Sequence, residues 1–540
     1  MQAIRTIGLD IAKSVVLSHR RTIMLRVIVP AVALLFGAAL AHPAAAQSDL
    51  DLVKQSIAAQ GGVDALQNYK SAIIKFEAKN WEPGQSYSPT GEPRFIGDST
   101  VTETIDVANR MTRVDWDRDL KYPLTEKIKY SEITAPTFGV AINEKGEQAP
   151  MSSIRLAALR REQQGISPLL LLAALNDPQS LSTMPDQEVG DRLLPAVSIK
   201  AGSTSYIVIF ERATTLPIAI RIRDDDFVYG DSNYDMIMSD WKDVGGGLKR
   251  PHTVSFQLNG VEVQRRSYQE IKVNPTIPAI SFVVNDDVKA KAPLPATDAP
   301  FQWVLRRLAM GPRFFNDSDA IIVPPGASLK LVELAPNVQH VEGGTANNLI
   351  VAMMDGLVIF DAPYGDLQSR WVIDAAKAKY PGKPIKYLVM THHHMDHSGG
   401  SRAFAAEGAS VVLPAQAKPF FEKMFRAPHT IAPDALAKNP KSVEIVDVKD
   451  KFSLKDDTVT INLYNIRNPH VDGMIIAHVV EPNLVYVTDL ISPRGPINRT
   501  AGTLAVGEVL HQLNITGATI VGGHGTTAKQ ADIAAALAAN

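Results

Sequence analysis

Apolar and polar positions follow different rhythms in the two halves of the chain. From residue 69 to about residue 285 they mostly alternate over short runs, the period-two pattern of half-covered strands. Residues 206–210 (Tyr-Ile-Val-Ile-Phe) and 218–222 (Ile-Ala-Ile-Arg-Ile) predict two strands on either side of Pro217. Residues 254–258 and 261–264 flank Asn259-Gly260, a pair that accepts the positive φ of a tight turn, so a hairpin is predicted there. A short helix over 51–59, stopped by Gly61-Gly62, precedes the strands. One helix interrupts them. Ser167 caps it, Pro168 suits its first turn, and residues 169–175 are apolar on every side, so it is buried or covers a greasy ligand surface.

The rhythm changes after a Pro/Ala-rich stretch at 291–300, which reads as a linker. Strands are predicted at 349–353 and 357–360 around the Asp355-Gly356 turn, then a helix over 368–379 and a buried strand over 385–390. A further helix starts at 401–407, strands follow at 458–463 and 484–487, and a helix closes the chain at 529–538. Strands alternating with helices predict a layered α/β domain. With 540 residues, two or three folded units are expected. The boundaries drawn are a mainly antiparallel β (α+β) domain over 47–290, a linker and connecting segment over 291–326, and an α/β domain over 327–540.

The first 46 residues stand apart. Arg20, Arg21 and Arg26 precede an apolar run over 27–40, and Ala44-Ala45-Ala46 supplies small residues for cleavage, expected after Ala46. The run is shorter than the roughly 18–20 residues of a membrane span. A periplasmic or secreted protein without a stable membrane anchor is therefore expected. His19-Arg20-Arg21-Thr22-Ile23-Met24 also resembles a twin-arginine signal in part. Cysteine is absent, which removes thiolate ligands, Cys nucleophiles and disulfides together. A formal charge of −2 offers nothing to nucleic acid.

Of thirteen histidines, ten follow residue 339, and their spacing carries the chemistry. His392, His394 and Asp396 occupy alternate positions directly after the strand predicted at 385–390, so in an extended loop they converge. His397 follows at once, and Ser398-Gly399-Gly400 lets the next helix begin close by. Imidazole and carboxylate are ligands that Zn²⁺ accepts without thiolate.

Thr391-His392-His393-His394-Met395-Asp396-His397 resembles the His-x-His-x-Asp-His signature of the metallo-β-lactamase superfamily, and four more motifs appear in the family's order. Phe360-Asp361-Ala362-Pro363 resembles the motif whose Asp supports the metal loop. Pro469-His470-Val471-Asp472-Gly473 is similar to the third-histidine segment, Val487-Thr488-Asp489-Leu490 to the strand end with a bridging Asp, and Gly522-Gly523-His524-Gly525 to the last histidine motif. The likeness spans about 327–540 and implies a four-layer αββα sandwich. It implies two zinc ions, one on His392, His394 and His470, the other on Asp396, His397 and His524, with Asp489 bridging. A hydroxide between them would attack an ester, lactone or amide, and Asp396 would orient it or pass a proton to the leaving group. Asp361 is expected behind the ligands, and Asp472 beside a ligand histidine. Thr488 stands where relatives often have Gly, and Val471 where Thr or Ser is common.

Asp489 resembles the glyoxalase, lactonase and esterase-like branches, while the best-known β-lactamases of the fold lack it. The alternatives are a β-lactamase, an alkylsulfatase, or an iron-dependent oxidative member. Thr215-Leu216-Pro217, residues 246–251 and residues 271–274 also resemble a periplasmic lipoprotein-carrier type of curved sheet. That half is then expected either to present a hydrophobic small-molecule substrate or to bind a lipid or partner, with the hydrolase as accessory. His393, His340, His429, His478 and His511 are expected to be ordinary packing or surface residues, and Arg494 and Arg499 solvated loop charges.

Overall fold

The computed structural model describes residues 48–297, 300–312, 329–344, 346–363 and 365–539. The signal expected over 1–46 and part of the connecting segment expected over 291–326 lie outside them. Among the described residues no helix is long and apolar enough to cross a membrane.

Alternation in the first half builds a thirteen-stranded antiparallel sheet. Its first strand in the chain, Ser71–Glu82, pairs with Arg94–Asp106 on one side and with the last, Val261–Val273, which is central in the sheet, on the other. At the hairpin, Leu258 faces Val261 across Asn259 and Gly260, whose φ values of 50° and 82° suit the tight turn. One face buries Ile74, Phe76, Val208, Phe210, Met236, Val254 and Phe256 beneath helices Asp49–Ala59 and Leu170–Asn176. The apolar-all-round helix is thus part of the core. Ser167 accepts from Leu169 N at 3.2 Å, and it also ends a second helix, Ser153–Ile166. That second helix has no apolar stripe to announce it. Its Arg155, Arg161 and Glu162 are buried in ion pairs with Glu132, Asp224 (2.7 Å) and Arg266 (2.5 Å).

The connecting segment carries a buried helix, Phe301–Ala309. Trp303 is fully enclosed, and the Arg306 guanidinium lies between Glu82 (2.6 Å) and Asp226. Its two arginines disguise it as polar sequence, because the Arg306 charge is neutralised by partners far away in the chain.

In the second half a seven-stranded sheet, antiparallel and then parallel from Leu357–Phe360 onward, faces a six-stranded sheet. Alternation explains how strands buried on both faces divide their side chains. Leu349, Val351, Val358 and Phe360 point between the sheets toward Leu463, Ile475 and Tyr486. Ile350, Leu357 and Ile359 point outward beneath helices Gly365–Lys379, Ser401–Glu407 and Lys418–Arg426. Helices Ala501–Gln512 and Gln530–Ala538 cover the other sheet, completing four layers, αββα. Residues 48–540 form one compact unit. Trp303 of the connecting helix and Ile154, Ala158, Ile96 and Leu120 of the first half belong to the same core cluster as Ile359, Leu388 and Phe421 of the second.

Candidate metal centre

Each candidate ligand sits where a strand of the sandwich ends. His392 and His394 follow strand Ile385–Val389, and Asp396 and His397 lie in the one-turn helix Met395–Ser398. His470 lies between strands Thr460–Ile466 and Met474–Val479, Asp489 follows Leu484–Val487, and His524 follows Thr519–Gly522. All seven come together, in two groups: His392, His394, His470 and Asp489, then Asp396, His397 and His524, with donor atoms in each group within 4.8 Å of one another. Asp489 joins the groups. Its Oδ2 lies 2.8 Å from His470 Nε2 and 3.2 Å from His392 Nε2, while its Oδ1 lies 2.7 Å from His524 Nε2 and 3.2 Å from His397 Nε2.

Hydrogen bonds at the back of the rings decide which nitrogen faces the centre. His397 Nδ1 donates to Asp361 Oδ2 at 2.9 Å, which turns Nε2 inward toward Asp489 and His524. Thr391 Oγ1 donates to Asp361 Oδ1 at 2.8 Å and accepts from His392 Nδ1 at 3.1 Å. His392 Nε2 is left buried without a hydrogen bond despite its nearness to Asp489. His394 Nε2 donates to the Ser86 carbonyl at 3.0 Å, so its Nδ1 faces His470 Nε2 at 2.9 Å. Bare nitrogens packed this closely, with carboxylates among them, fit a cation and little else.

Burial and neighbouring charge act differently on the individual rings. Burial, helped by His397, lowers the His392 pKa to about 4, and burial with His470 and His392 pushes His394 well below the usual range. Both are therefore neutral, as ligands must be. Burial also opposes charge on His397 and Asp489, but there the neighbours win. Asp489 and Asp361 hold His397 well above its ordinary value, and His397, His524 and His470 hold Asp489 well below its own.

Asp361 lies behind the candidate ligands, in the left-handed region (φ 59°), with its carbonyl accepting from Asn348 Nδ2 at 2.6 Å. Asp472 does not take the place expected of it. It is exposed, and only its backbone N–H reaches the site's surroundings, donating to Tyr87 O at 2.7 Å, because Gly473 (φ 89°) turns the chain there. His393 is buried against Phe420, its Nε2 3.2 Å from Ser86 Oγ. Thr488 Oγ1 contacts the His397 ring at 3.2 Å, and Val471 is buried in the outer core. His340 is buried between Glu342 and the Gly522 carbonyl, His429 is buried 2.9 Å from Asp225, His478 meets Asn483, and His511 is exposed. Arg494 and Arg499 are exposed, and Arg499 donates to the Leu537 carbonyl.

The residues that sequence reasoning missed come from the first half. The turn after strand Ser71–Glu82 lies against the centre, with Gln85 and Ser86 both buried. Gln85 Nε2 donates to Asp396 Oδ1 at 2.6 Å, and Tyr122 OH donates to Gln85 Oε1 at 2.6 Å. Arg94 donates to the carbonyls of Gln85 (2.5 Å) and His470 (2.8 Å), tying the turn to the ligand loop. No motif marks these positions.

Residues 343–526 match the family model of the metallo-beta-lactamase superfamily. With the αββα layering and the site at the strand ends, the C-terminal region has the metallo-β-lactamase fold. No curated protein matches the chain significantly. Similar solved structures include a metallo-beta-lactamase from Pontibacter korlensis, 17% identical over 39% of this chain and 100% of that one, with a TM-score of 0.30. The stereoselective inverting sec-alkylsulfatase Pisa1 from Pseudomonas sp. is 17% identical over 38% of this chain and 40% of its own, with a TM-score of 0.31. The metallo-beta-lactamase FIM-1 from Pseudomonas aeruginosa is 18% identical over 38% and 92%, with a TM-score of 0.29.

Proposed function

We propose that the chain is an exported hydrolase working with two zinc ions and cleaving an ester, lactone or amide bond in a small-molecule substrate. His392, His394 and His470 would hold one ion, Asp396, His397 and His524 the other, and Asp489 would lie between them. The observation that carries the reading is the Asp489 carboxylate, which turns one oxygen to each group. Cations there would acidify water and polarise a carbonyl. The chain's own residues do the positioning. Gln85 occupies Asp396 Oδ1, leaving Oδ2, which faces His397 and His524, to hold its ion and orient a water there. Asp361, Thr391 and Ser86 hold the imidazoles in the ligand tautomer, so none has to reorient. The resemblance of Asp489 to the glyoxalase, lactonase and esterase-like branches supports these bonds over β-lactams.

Purified protein should carry about two metal ions per chain and lose hydrolysis with a chelator. Folded protein holding fewer than about one would overturn the dinuclear centre. His394→Ala and Asp396→Ala should nearly abolish turnover in a screen of esters, lactones, β-lactams, thioesters and alkyl sulfates; near-normal turnover in either refutes its role. Exported protein should begin at Gln47, and a cytoplasmic chain that keeps residues 1–46 would refute export.

A further inference from the structure

A second cavity, of about 620 Å³, lies in the first half and shares no lining residue with the metal centre. Its volume falls in the range of small-molecule sites, roughly 300–1,000 Å³. Ile74 and Ile105 of the large sheet line it, opposite Leu169 and Leu170 of the covering helices, and Phe301 at the start of the connecting helix lines it too. Beside these apolar residues stand polar groups of three kinds, a tyrosine, arginines and two acids.

Tyr69 is the first. It is 3% exposed, it lines the cavity, and its hydroxyl has no hydrogen-bond partner. A buried donor left unmade is costly, and an acceptor on a bound molecule would satisfy it.

The second is a pair of like charges. Arg110 and Arg160 both line the cavity and repel one another, and burial together with Arg110 lowers the Arg160 pKa. Arg160 donates to the Ala135 carbonyl at 2.8 Å, and among the described residues neither guanidinium has a carboxylate partner. Arg161, by contrast, is committed to Asp224 at 2.7 Å, and Arg250, the fourth arginine of the lining, is buried near Tyr69 and Glu103 and donates to the Ile166 carbonyl at 3.4 Å. Arg110 is exposed, so the pair lies toward the mouth.

The third is acidic, with two members, Asp106 and Glu103, in the same lining. Asp106 accepts from Asn109 N and Nδ2 at 3.1 and 2.7 Å, and burial raises the Glu103 pKa, disfavouring its charge. Two guanidiniums without carboxylate partners, lying toward the mouth of a chamber walled in part by Ile74, Ile105, Leu169 and Leu170, form a receptor for an anion with a greasy tail.

We propose that this cavity binds a single-chain amphiphile with a carboxylate head, the head held by Arg110 and Arg160 and the body lying in the chamber, where an acceptor can meet Tyr69. The assignment does not rest on the hydrolase reading.

Dodecanoate, titrated calorimetrically into the full-length protein, is the probe, with dodecyltrimethylammonium as the same chain carrying the opposite charge. Dodecanoate should bind once per chain, at least about tenfold more tightly than the cation, and equally well after chelator treatment. Arg110→Gln changes an exposed side chain and should weaken dodecanoate severalfold in protein that melts normally. Arg110→Gln/Arg160→Gln should weaken it by about tenfold or more. Ala157→Trp, which fills the chamber from its wall, should abolish it. No dodecanoate binding, equal binding of the two amphiphiles, or unchanged binding in Arg110→Gln overturns the proposal.

Discussion

Gln85 shows how much a single side chain outside the ligand set controls. Its amide is amphoteric: Oε1 accepts from Tyr122 OH, which forces Nε2 toward Asp396, so the carboxylate meets a donor on one oxygen and turns the other toward His397 and His524. An aliphatic side chain of the same size would preserve packing but strand Tyr122 OH and release Asp396. Gln85→Leu is therefore expected to lower turnover or metal affinity by about 10–100-fold, the usual effect of removing a partner that orients a ligand. Unchanged metal titration and unchanged kcat/KM would show that Asp396 needs no such support. Asp361 acts in the same way from the opposite side, and it was readable because its motif adjoins a strand end. Gln85 was not. It acts from 311 residues away, and its neighbour Ser86 contributes a backbone carbonyl to His394, a group that every residue carries and no sequence pattern can mark.

Among the elements, the legible ones were those whose burial is local. Strands at 349–353, 357–360 and 385–390 carry their period in a few residues, and the observed Asn348–Ala352, Leu357–Phe360 and Ile385–Val389 follow it closely. Helix Ser153–Ile166 was illegible because its buried face includes Arg155, Arg161 and Glu162, whose charges are satisfied only by Glu132, Asp224 and Arg266 on distant strands. The loop from His392 to helix Ser401–Glu407 makes a sharper demand at Gly400. A Cβ there would lie 1.9 Å from Ser369 Oγ and 2.7 Å from the Gly365 carbonyl. The serine could rotate; the backbone oxygen could not. Gly400→Ala should cost about 1–3 kcal/mol in denaturant unfolding, the range for overpacking a tight core, and it should loosen metal binding because the same loop carries four ligands. A loss below about 0.5 kcal/mol would mean that helix Gly365–Lys379 can shift away freely.

The two halves differ in architecture but not in fate, because the connecting helix belongs to both. Its Trp303 is enclosed in the core cluster beneath the outer helices of the sandwich, while Arg306 reaches back to Glu82 and Asp226 in the large sheet. Glu82 Oε1 also accepts from Gly84 N at 2.7 Å, immediately before Gln85, so this ion pair anchors the turn that lies against the metal centre. A chain of two loosely tethered domains would unfold in two steps. Here a shared core and a buried three-residue charge cluster predict one cooperative transition for the folded unit, with fluorescence and circular dichroism changing together. Arg306→Ala tests the coupling directly. It leaves two buried carboxylates without their cation, a loss of about 3–5 kcal/mol, and it should move the whole transition rather than split it. If instead the variant separates into an unchanged step and an early one, the helix stabilises only one half. The sandwich would then hold its metal site without help from the sheet.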